Sequence, residues 1–404
     1  MLTKISNRVL LIFIFITQVL SFYLVIKNAK TLTDFEEMGN ATMLLAGQCL
    51  FLGLLICFNI KNGLKNKDQM PKVLILLLLF IGISSFQVMY KFNDPVMYVK
   101  SFVFSGLTYC SFFAGYLMVK NDNTIIRFNI YLYSLFFLFF IVIFPSYYQY
   151  QMQYSRIGIV FQDSMYMLML LPMMLAFPIK VFRYLAVIVI TVIIVYGAKR
   201  SSIIIMGCAI PVYILINNTI QRKYSSMALI PFLLLGFCYI FWHFMQSNEF
   251  AIERFLSMSN DEGSGRIEIW STYIEAICNS DLFSCIFGHG IFGSVDIFSY
   301  KKSAHNDVLE TLYSLGIIGL VLYVVFVYLI LKKLYRLIVA RNHFAPAYSV
   351  AIVIFLILSA VSMFSTAPSY PIILYSFLGM DYAIDENSSC NILNSSHCRP
   401  YSRT

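Results

Sequence analysis

Two short segments combine residue types that could bind an anion and move a proton. Residues 263–270 read Gly-Ser-Gly-Arg-Ile-Glu-Ile-Trp, and their glycines precede a predicted amphipathic helix on which Arg266 and Trp270 are i,i+4 neighbours. An arginine is always charged and can bind two phosphate oxygens with its planar guanidinium group. The alternative interpretation is a solvated arginine beside a packed tryptophan.

The second segment is a Ser-Ala-His-Asn-Asp run directly before an apolar stretch. His305 and Asn306 are therefore predicted at the N-terminus of a membrane helix, where free amides and the helix dipole favour an anion. An imidazole can also accept a proton at neutral pH. The alternative is that Ser303 or Asn306 only caps the helix and that His305 is an interfacial polar residue. Asp307 and Glu310 suit a first helical turn for dipole reasons, so they are given no catalytic role.

Membrane helices must position these residues. The 404 residues are 59% hydrophobic and only 12% charged, whereas a soluble domain has about 25% charged residues. Apolar runs of spanning length predict about twelve transmembrane helices. They lie near residues 9–26, 41–60, 73–90, 101–119, 128–144, 161–179, 181–196, 202–217, 226–244, 309–331, 347–363 and 368–380. The predicted fold is an all-α, polytopic integral membrane protein.

The apolar runs also divide the chain into regions. Residues 1–244 hold the earlier spans, 245–308 form one large loop, 309–380 hold the last spans, and 381–404 form a polar tail. The loop is predicted to be helical because apolar residues recur in it at helical spacing around Trp270.

Orientation follows from the basic residues in the short loops. Most Lys and Arg residues fall on one side, which places both termini in the cytoplasm and residues 245–308 outside it. This topology accounts for the net charge of +9 without nucleic-acid binding. The spans hold almost no ionisable residues, which argues against a proton-coupled pump or a channel.

Other cations lie on the predicted outer side. Lys199 and Arg200 occupy a tight turn between two spans, contrary to the usual charge rule, and are either a phosphate clamp or an ordinary exposed turn. Arg156, which opens a span, is a weaker candidate. The Gly-His-Gly run at 288–290 is either an anion-binding nest or a turn. Together these cations suggest an anionic substrate such as a lipid diphosphate at the outer face, and no spacing of Cys, His or acidic residues predicts a metal site.

Cys278 and Cys285 fall in the large loop. They could form a disulfide if the loop faces an oxidising space, or they could be unpaired neighbours. The sequence leaves both alternatives open.

The stretch from Ser264 to Leu320 resembles the core of the O-antigen polymerase and O-antigen ligase superfamily. Upstream, a turn resembles the outward turn of that family, which carries an arginine, and Arg156 resembles a further basic position before a span. The matching runs are Gly-Arg-Ile-Glu-Ile-Trp at 265–270, Phe-Gly-His-Gly-Ile-Phe-Gly at 287–293, Ala-His-Asn at 304–306, Gly-Ile-Ile-Gly-Leu at 316–320 and Gly-Ala-Lys-Arg-Ser-Ser at 197–202.

The resemblance implies a GT-C-like membrane glycosyltransferase. Such an enzyme takes a glycan from undecaprenyl diphosphate at the periplasmic face of the bacterial inner membrane, without a metal or another cofactor. Arg266 and Arg200 would bind the donor diphosphate and stabilise the charge on the leaving group. His305 would orient or deprotonate the acceptor hydroxyl.

The other candidate residues have supporting roles in this scheme. Asn306 would hold His305 or contact the sugar. Lys199 and Arg156 would be additional anion contacts, and Trp270 would either stack on a sugar face or pack against the protein.

The favoured function is an O-antigen or capsular polysaccharide polymerase, which passes the growing chain onto the next undecaprenyl diphosphate-linked repeat unit. That choice rests on the divergence of polymerases and on the length and aromatic-rich character of many of them. The first alternative is an O-antigen ligase, which passes the chain to lipid A-core. The second is a flippase or other transporter, which the nearly charge-free spans and the long loop disfavour. The expected partners are the lipid-linked oligosaccharide, the lipid bilayer and a chain-length regulator protein.

Overall fold

The computed structural model describes most of the membrane helices and part of the large loop. The described residues are 2–28, 38–63, 68–93, 95–154, 164–196, 200–223, 266–291, 293–298, 303–362, 364–365 and 371–384, together with the helical residues 231, 235–236, 239 and 242–243. Within these ranges the secondary structure is helical and contains no β-strand, which confirms the predicted all-α class.

The helices follow the apolar runs of the sequence. Their bounds are α1 Leu2–Asn28, α2 Met38–Gly63, α3 Met70–Phe92, α4 Pro95–Asn121, α5 Ile125–Tyr154, α6 Ser164–Leu175, α7 Lys180–Tyr196, α8 Arg200–Gln221, α9 Arg266–Cys278, α10 Leu282–Phe287, α11 Val295–Phe298, α12 Asp307–Val339, α13 Ala345–Val361 and α14 Pro371–Ala383. Every predicted span overlaps one of these helices except 226–244, of which only residues 231, 235, 236, 239, 242 and 243 are described.

Length and composition identify the membrane-crossing helices. Among the described residues, five helices are long and apolar enough to cross a bilayer, and three shorter ones are also apolar. On α7, Val181, Leu185 and Ile188 expose more than half of their side chains at helical spacing. Such an exposed apolar stripe is stable against lipid, so the chain is a polytopic membrane protein.

The C-terminal helix packs into the centre of the bundle. Gly379 of α14 meets the backbone of Phe112 on α4, and Gly115 meets the backbone of Ser376, so a Cβ at either glycine would collide with the other helix. α14 ends at Ala383, and Asp381 is fully buried. The helix therefore extends past residue 380, where the sequence predicted the start of a polar tail. Residues 385–404 lie outside the described part.

The bundle has two ends that the contacts distinguish. Arg183 at the start of α7 donates to the hydroxyl of Tyr213, in the C-terminal half of α8, at 3.5 Å. The charge of Arg183 also acts on His343, in the turn between α12 and α13. The start of α7, the end of α8 and this turn therefore share one end, called here the His343 end. The first residues of α8 and α12 lie at the opposite end, called the Asp307 end.

Candidate active site at the Asp307 end

The predicted loop helix is present and packs on the first turns of α12. Ile269 and Tyr273 of α9 form a buried apolar cluster with Ala304 and Tyr313. The rings of Tyr273 and Tyr313 meet edge to face, with centroids 5.3 Å apart. Aromatic pairs in this geometry add to the area that they bury. The cluster therefore fixes α9 against α12.

Trp270 joins the two predicted segments. Its indole Nε1 donates a hydrogen bond of 2.7 Å to the carbonyl of Ala304. Arg266 lies one turn before Trp270 on α9, and His305 follows Ala304 directly. The structure thus brings the segments of Arg266 and His305 together, and both side chains are partly buried. For Trp270 the contact is a polar tether to the protein itself.

A buried glutamate holds the segment before α12. Oε2 of Glu310 accepts from the amide of Ala304 at 2.9 Å, from the hydroxyl of Ser303 at 3.3 Å and from the hydroxyl of Tyr273 at 3.2 Å. Burial and the nearby Glu310 carboxylate raise the pKa of Tyr273, so its hydroxyl stays a donor. Glu310 does more than suit the helix dipole, because it positions the backbone on which His305 sits.

The backbone of His305 adopts a left-handed conformation, with φ of 50°. Few residues other than glycine adopt it, and it persists where neighbours hold it in place. The amide of His305 donates to the Ser303 hydroxyl at 3.2 Å, and Trp270 and Glu310 bind Ala304 beside it. Several contacts therefore fix the backbone from which the imidazole projects.

Asn306 caps α12. Its Oδ1 accepts from the amides of Val308 and Leu309 at 2.9 and 3.1 Å, and its Nδ2 donates to the carbonyl of Ala360 at 3.2 Å. Both ends of this side chain are used within the protein, as the capping interpretation requires.

Asp307 is the polar residue whose role the sequence did not reveal. Its buried carboxylate accepts from the hydroxyls of Ser359 and Ser365, each at 2.7 Å, and from the amides of Phe364 and Ser365 at 3.0 to 3.2 Å. These donors come from α13 and the segment after it, more than 50 residues away. Asp307 thus ties the start of α12 to the end of α13.

Two glycines lock the loop onto α12. Gly316 has φ of 66° and breaks the helix, which leaves the carbonyls of Tyr313 and Ser314 to accept from the amides of His289 and Gly290 at 2.8 and 3.1 Å. A Cβ on Gly288 or on Gly316 would collide with the facing backbone. The amides of the Gly-His-Gly run are bound to carbonyls, so the anion-nest interpretation is wrong and the turn interpretation holds.

An apolar groove of about 1190 Å³ lies beside this loop, between α3, α4 and α10. Its walls include Leu79, Ile83, Phe86, Phe102 and Phe283, and its polar residues gather at the C-terminal end of α3 and at His289. His289 stacks on Tyr313 with ring centroids 4.4 Å apart. The groove therefore reaches the aromatic layer that packs against α9.

The imidazole of His289 is engaged within the protein. Its Nε2 lies 2.6 Å from the hydroxyl of Ser280. Burial and, secondarily, the charge of Lys91 lower its pKa, while Asp281 opposes the shift. His289 is thus a neutral, positioned residue at neutral pH.

The remaining sequence candidates are less completely described. Lys199 and Arg156 lie outside the described residues, and of Arg200 only the backbone is described, as the first residue of α8 at the Asp307 end. Cys278 and Cys285 are free thiols, in agreement with the unpaired alternative. Among the described residues, no three His, Cys, Asp or Glu side chains group as metal ligands.

The helical bundle and the buried polar segment define a multi-pass membrane protein with a candidate site at one end of the bundle. Residues 185–324 match the O-antigen ligase family. The matched range contains Arg200, Arg266 and His305, and it confirms the resemblance to the O-antigen polymerase and ligase superfamily. No curated protein matches the chain. A domain of this family implies a glycosyl-transfer enzyme of the ligase or polymerase type.

Proposed function

We propose that this protein is a polysaccharide polymerase of the bacterial inner membrane, acting on O-antigen or capsular glycans. It would transfer the growing chain from undecaprenyl diphosphate onto the next undecaprenyl diphosphate-linked repeat unit at the periplasmic face. The observation that carries the proposal is the tether from Trp270 to Ala304, which brings the segments of Arg266 and His305 together within the family-matched range.

The chemistry needs one base and one anion site. The acceptor hydroxyl attacks the anomeric carbon of the donor sugar, its proton passes to His305, and the bond from that carbon to the diphosphate oxygen breaks. The diphosphate leaves on its polyprenyl chain, and the charge that develops on it is stabilised by Arg266 and Arg200. Lys199 and Arg156 are proposed as additional anion contacts, and no metal is required in this scheme.

The apolar groove supports a lipid-linked substrate. A polyprenyl chain is apolar over its whole length, whereas its diphosphate must lie among cations and donors at the membrane surface. The groove offers aromatic and aliphatic walls, and its polar end at His289 lies one aromatic layer from α9. We assign part of the polyprenyl chain to it.

The second candidate is an O-antigen ligase, which would use the same donor and pass the glycan to lipid A-core. It is favoured by the description of the matched family itself. The two functions differ only in the acceptor, so an acceptor assay separates them. We expect polymer from purified protein given lipid-linked repeat units alone, and a ligase would require lipid A-core.

The residue test uses His305→Ala and His305→Gln. If His305 is the general base, both variants lose about 10²–10⁴ in rate, because Gln can hydrogen bond but cannot accept the proton at neutral pH. Polymer yield is measured on gels, and binding of the lipid-linked donor is measured in parallel and should persist. If Gln keeps much of the activity, His305 orients the acceptor instead.

The matched control is His243→Gln, at an exposed histidine outside the predicted site. It should retain full activity. Normal polymer from His305→Ala would remove His305 from the mechanism, and full activity in both Arg266→Ala and Arg200→Ala would remove the proposed anion site.

A further inference from the structure

A second group of polar residues gathers at the His343 end, away from the proposed active site. Arg127 lies in the first turn of α5, Arg183 lies in the first turn of α7, and His343 lies in the turn between α12 and α13. Tyr131, one turn after Arg127, and Phe182, next to Arg183, both pack against the ring of Phe177. The charges of both arginines also act on His343, so the three side chains lie near one another. Two separate helix starts therefore bring positive charge to the turn that holds His343.

Several nitrogens in this group have nothing to bind. Nε of Arg127, Nε of Arg183, Nε2 of His343 and Nδ2 of the fully buried Asn342 are all buried, and none has a hydrogen-bond partner among the described residues. Buried polar atoms in proteins are nearly always paired, and each exception calls for an explanation. An acceptor supplied from outside the chain would satisfy them.

The orientation of Arg183 is fixed by its other nitrogens. Nη1 donates to the Tyr213 hydroxyl at 3.5 Å, and Nη2 donates to the carbonyl of Pro178 at 3.3 Å. The guanidinium is therefore held in place before any ligand arrives, which lowers the entropy cost of binding.

The group also has uncompensated charge. Among the described residues, no ion pair joins Arg127 or Arg183 to a carboxylate. Burial, then Arg127, then Arg183 lower the pKa of His343 to about 4, so the imidazole remains neutral beside two cations. Two guanidinium groups next to a neutral imidazole suit an anion with several acceptor oxygens, such as a phosphate.

The surroundings indicate which phosphate. The surface next to Arg183 is apolar, because Val181 and Tyr184 expose 66% and 69% of their side chains and Leu185 continues the stripe along α7. An exposed tyrosine at the end of an apolar helix is typical of the headgroup level of a bilayer. A ligand that reaches the arginines from this side has its phosphate at the headgroups and its apolar part against α7.

We propose that Arg127, Arg183 and His343 bind the phosphate of an anionic phospholipid whose acyl chains lie along the exposed face of α7. Basic pockets between transmembrane helices commonly bind such headgroups. The Nε–H groups of both arginines donate to the phosphate oxygens, and the lipid fastens the starts of α5 and α7 to the α12–α13 turn. This site is independent of the proposed glycosyl transfer.

The test is lipid binding to the purified full-length protein, measured by native mass spectrometry and by thermal unfolding in detergent. The probes are phosphatidylglycerol, cardiolipin, zwitterionic phosphatidylcholine and inorganic phosphate. We expect both anionic lipids to bind and to raise the unfolding temperature, with little effect of phosphatidylcholine or of inorganic phosphate. Stabilisation by inorganic phosphate alone, or equal binding of phosphatidylcholine, would overturn the lipid assignment.

Arg127→Gln is the decisive variant, because no hydrogen bond joins the Arg127 side chain to another described residue and its loss removes charge repulsion. We expect it to weaken anionic lipid binding by about tenfold or more and to unfold no earlier than the wild type without lipid. Lys332→Gln, at an exposed lysine near the end of α12, removes the same charge at the same end of the bundle and should bind lipid normally. Unchanged lipid affinity in Arg127→Gln would refute the site.

Discussion

Buried polar groups lie at both ends of the α12–α13 hairpin, and they are satisfied differently at the two ends. At the Asp307 end, the carboxylates of Asp307 and Glu310 accept hydrogen bonds from hydroxyls and amides of the chain itself. At the His343 end, Arg127 and Arg183 each have a buried N–H group that has no acceptor within the described part of the chain.

This difference separates two uses of a buried polar group. A carboxylate that is satisfied by its own chain costs little and fixes the segments that donate to it. A cation whose N–H groups stay unsatisfied costs free energy until a ligand binds. The first arrangement suits the support of a catalytic segment, and the second suits a binding site.

Replacement of the central carboxylate should have the largest effect on stability. Asp307→Asn removes the charge and turns an NH₂ group toward donors from Ser359 and Ser365. We expect the free energy of unfolding to fall by about 2–4 kcal/mol, since each buried donor left without an acceptor costs about 1–3 kcal/mol. Thermal unfolding in detergent measures it.

Ser359→Ala removes a single donor to the same carboxylate and serves as the graded control, with a smaller loss of stability. If Asp307→Asn unfolds at the wild-type temperature, the Asp307 end is not held together in the way its contacts indicate.

At the His343 end, the free energy of unfolding should depend on pH. The pKa of His343 falls from 6.5 to about 4 on folding, because of burial and the two arginines. Below pH 6.5 the unfolded chain therefore binds a proton that the folded chain does not bind. The contribution of His343 to the free energy of unfolding is fully present above that pH and is lost as the pH falls toward about 4. Between about pH 7.5 and about pH 5 we expect a loss of about 1–2 kcal/mol in the free energy of unfolding, reduced because His343 is partly exposed.

His343→Asn should abolish the part of the pH dependence that His343 contributes. Unfolding temperatures measured at the two pH values test this expectation. A bound anionic lipid should weaken the dependence in the wild type, because a nearby phosphate favours the protonated imidazole. An equal pH response in wild type and variant would mean that His343 does not titrate as its surroundings predict.

The smallest expected effect on stability is at Trp270. Trp270→Phe keeps an aromatic face but removes the N–H donor to the carbonyl of Ala304, which should cost about 1 kcal/mol in the free energy of unfolding. Polymer yield should fall more than this loss of stability accounts for, because the tether positions the segment before His305. Full activity in the Phe variant would favour the sugar-stacking interpretation over the tether.

Much of the fold was predictable from the sequence. Apolar runs give the membrane helices because lipid requires each span to be apolar and helical, and this constraint acts locally along the chain. The loop helix was also predicted, but its buried face was not. Ile269 and Tyr273 pack on α12, whereas Ile267 and Ile274 are exposed. The choice of face depends on where α12 lies, which no local pattern records.

The candidate site was predictable only in part. Arg266 and His305 stand in recognisable motifs, and the structure brings their segments together. The role of Asp307 was not predictable, because its partners Ser359 and Ser365 are ordinary serines more than 50 residues away. The His343 end was missed for a similar reason, since Arg127 and Arg183 look like ordinary cytoplasmic charges until the helices are packed.

The interlock between Gly288 and Gly316 sets limits on how this protein can be recombined. A chimera that exchanges only the segment between two membrane helices would join a foreign turn to a kink that it does not fit. The unit that can be exchanged must run past the kink, at least to Gly319, where the side chain of Leu315 again leaves no room for a Cβ. The loop and the start of α12 thus form a single structural unit. A chimera made to study specificity should exchange them together.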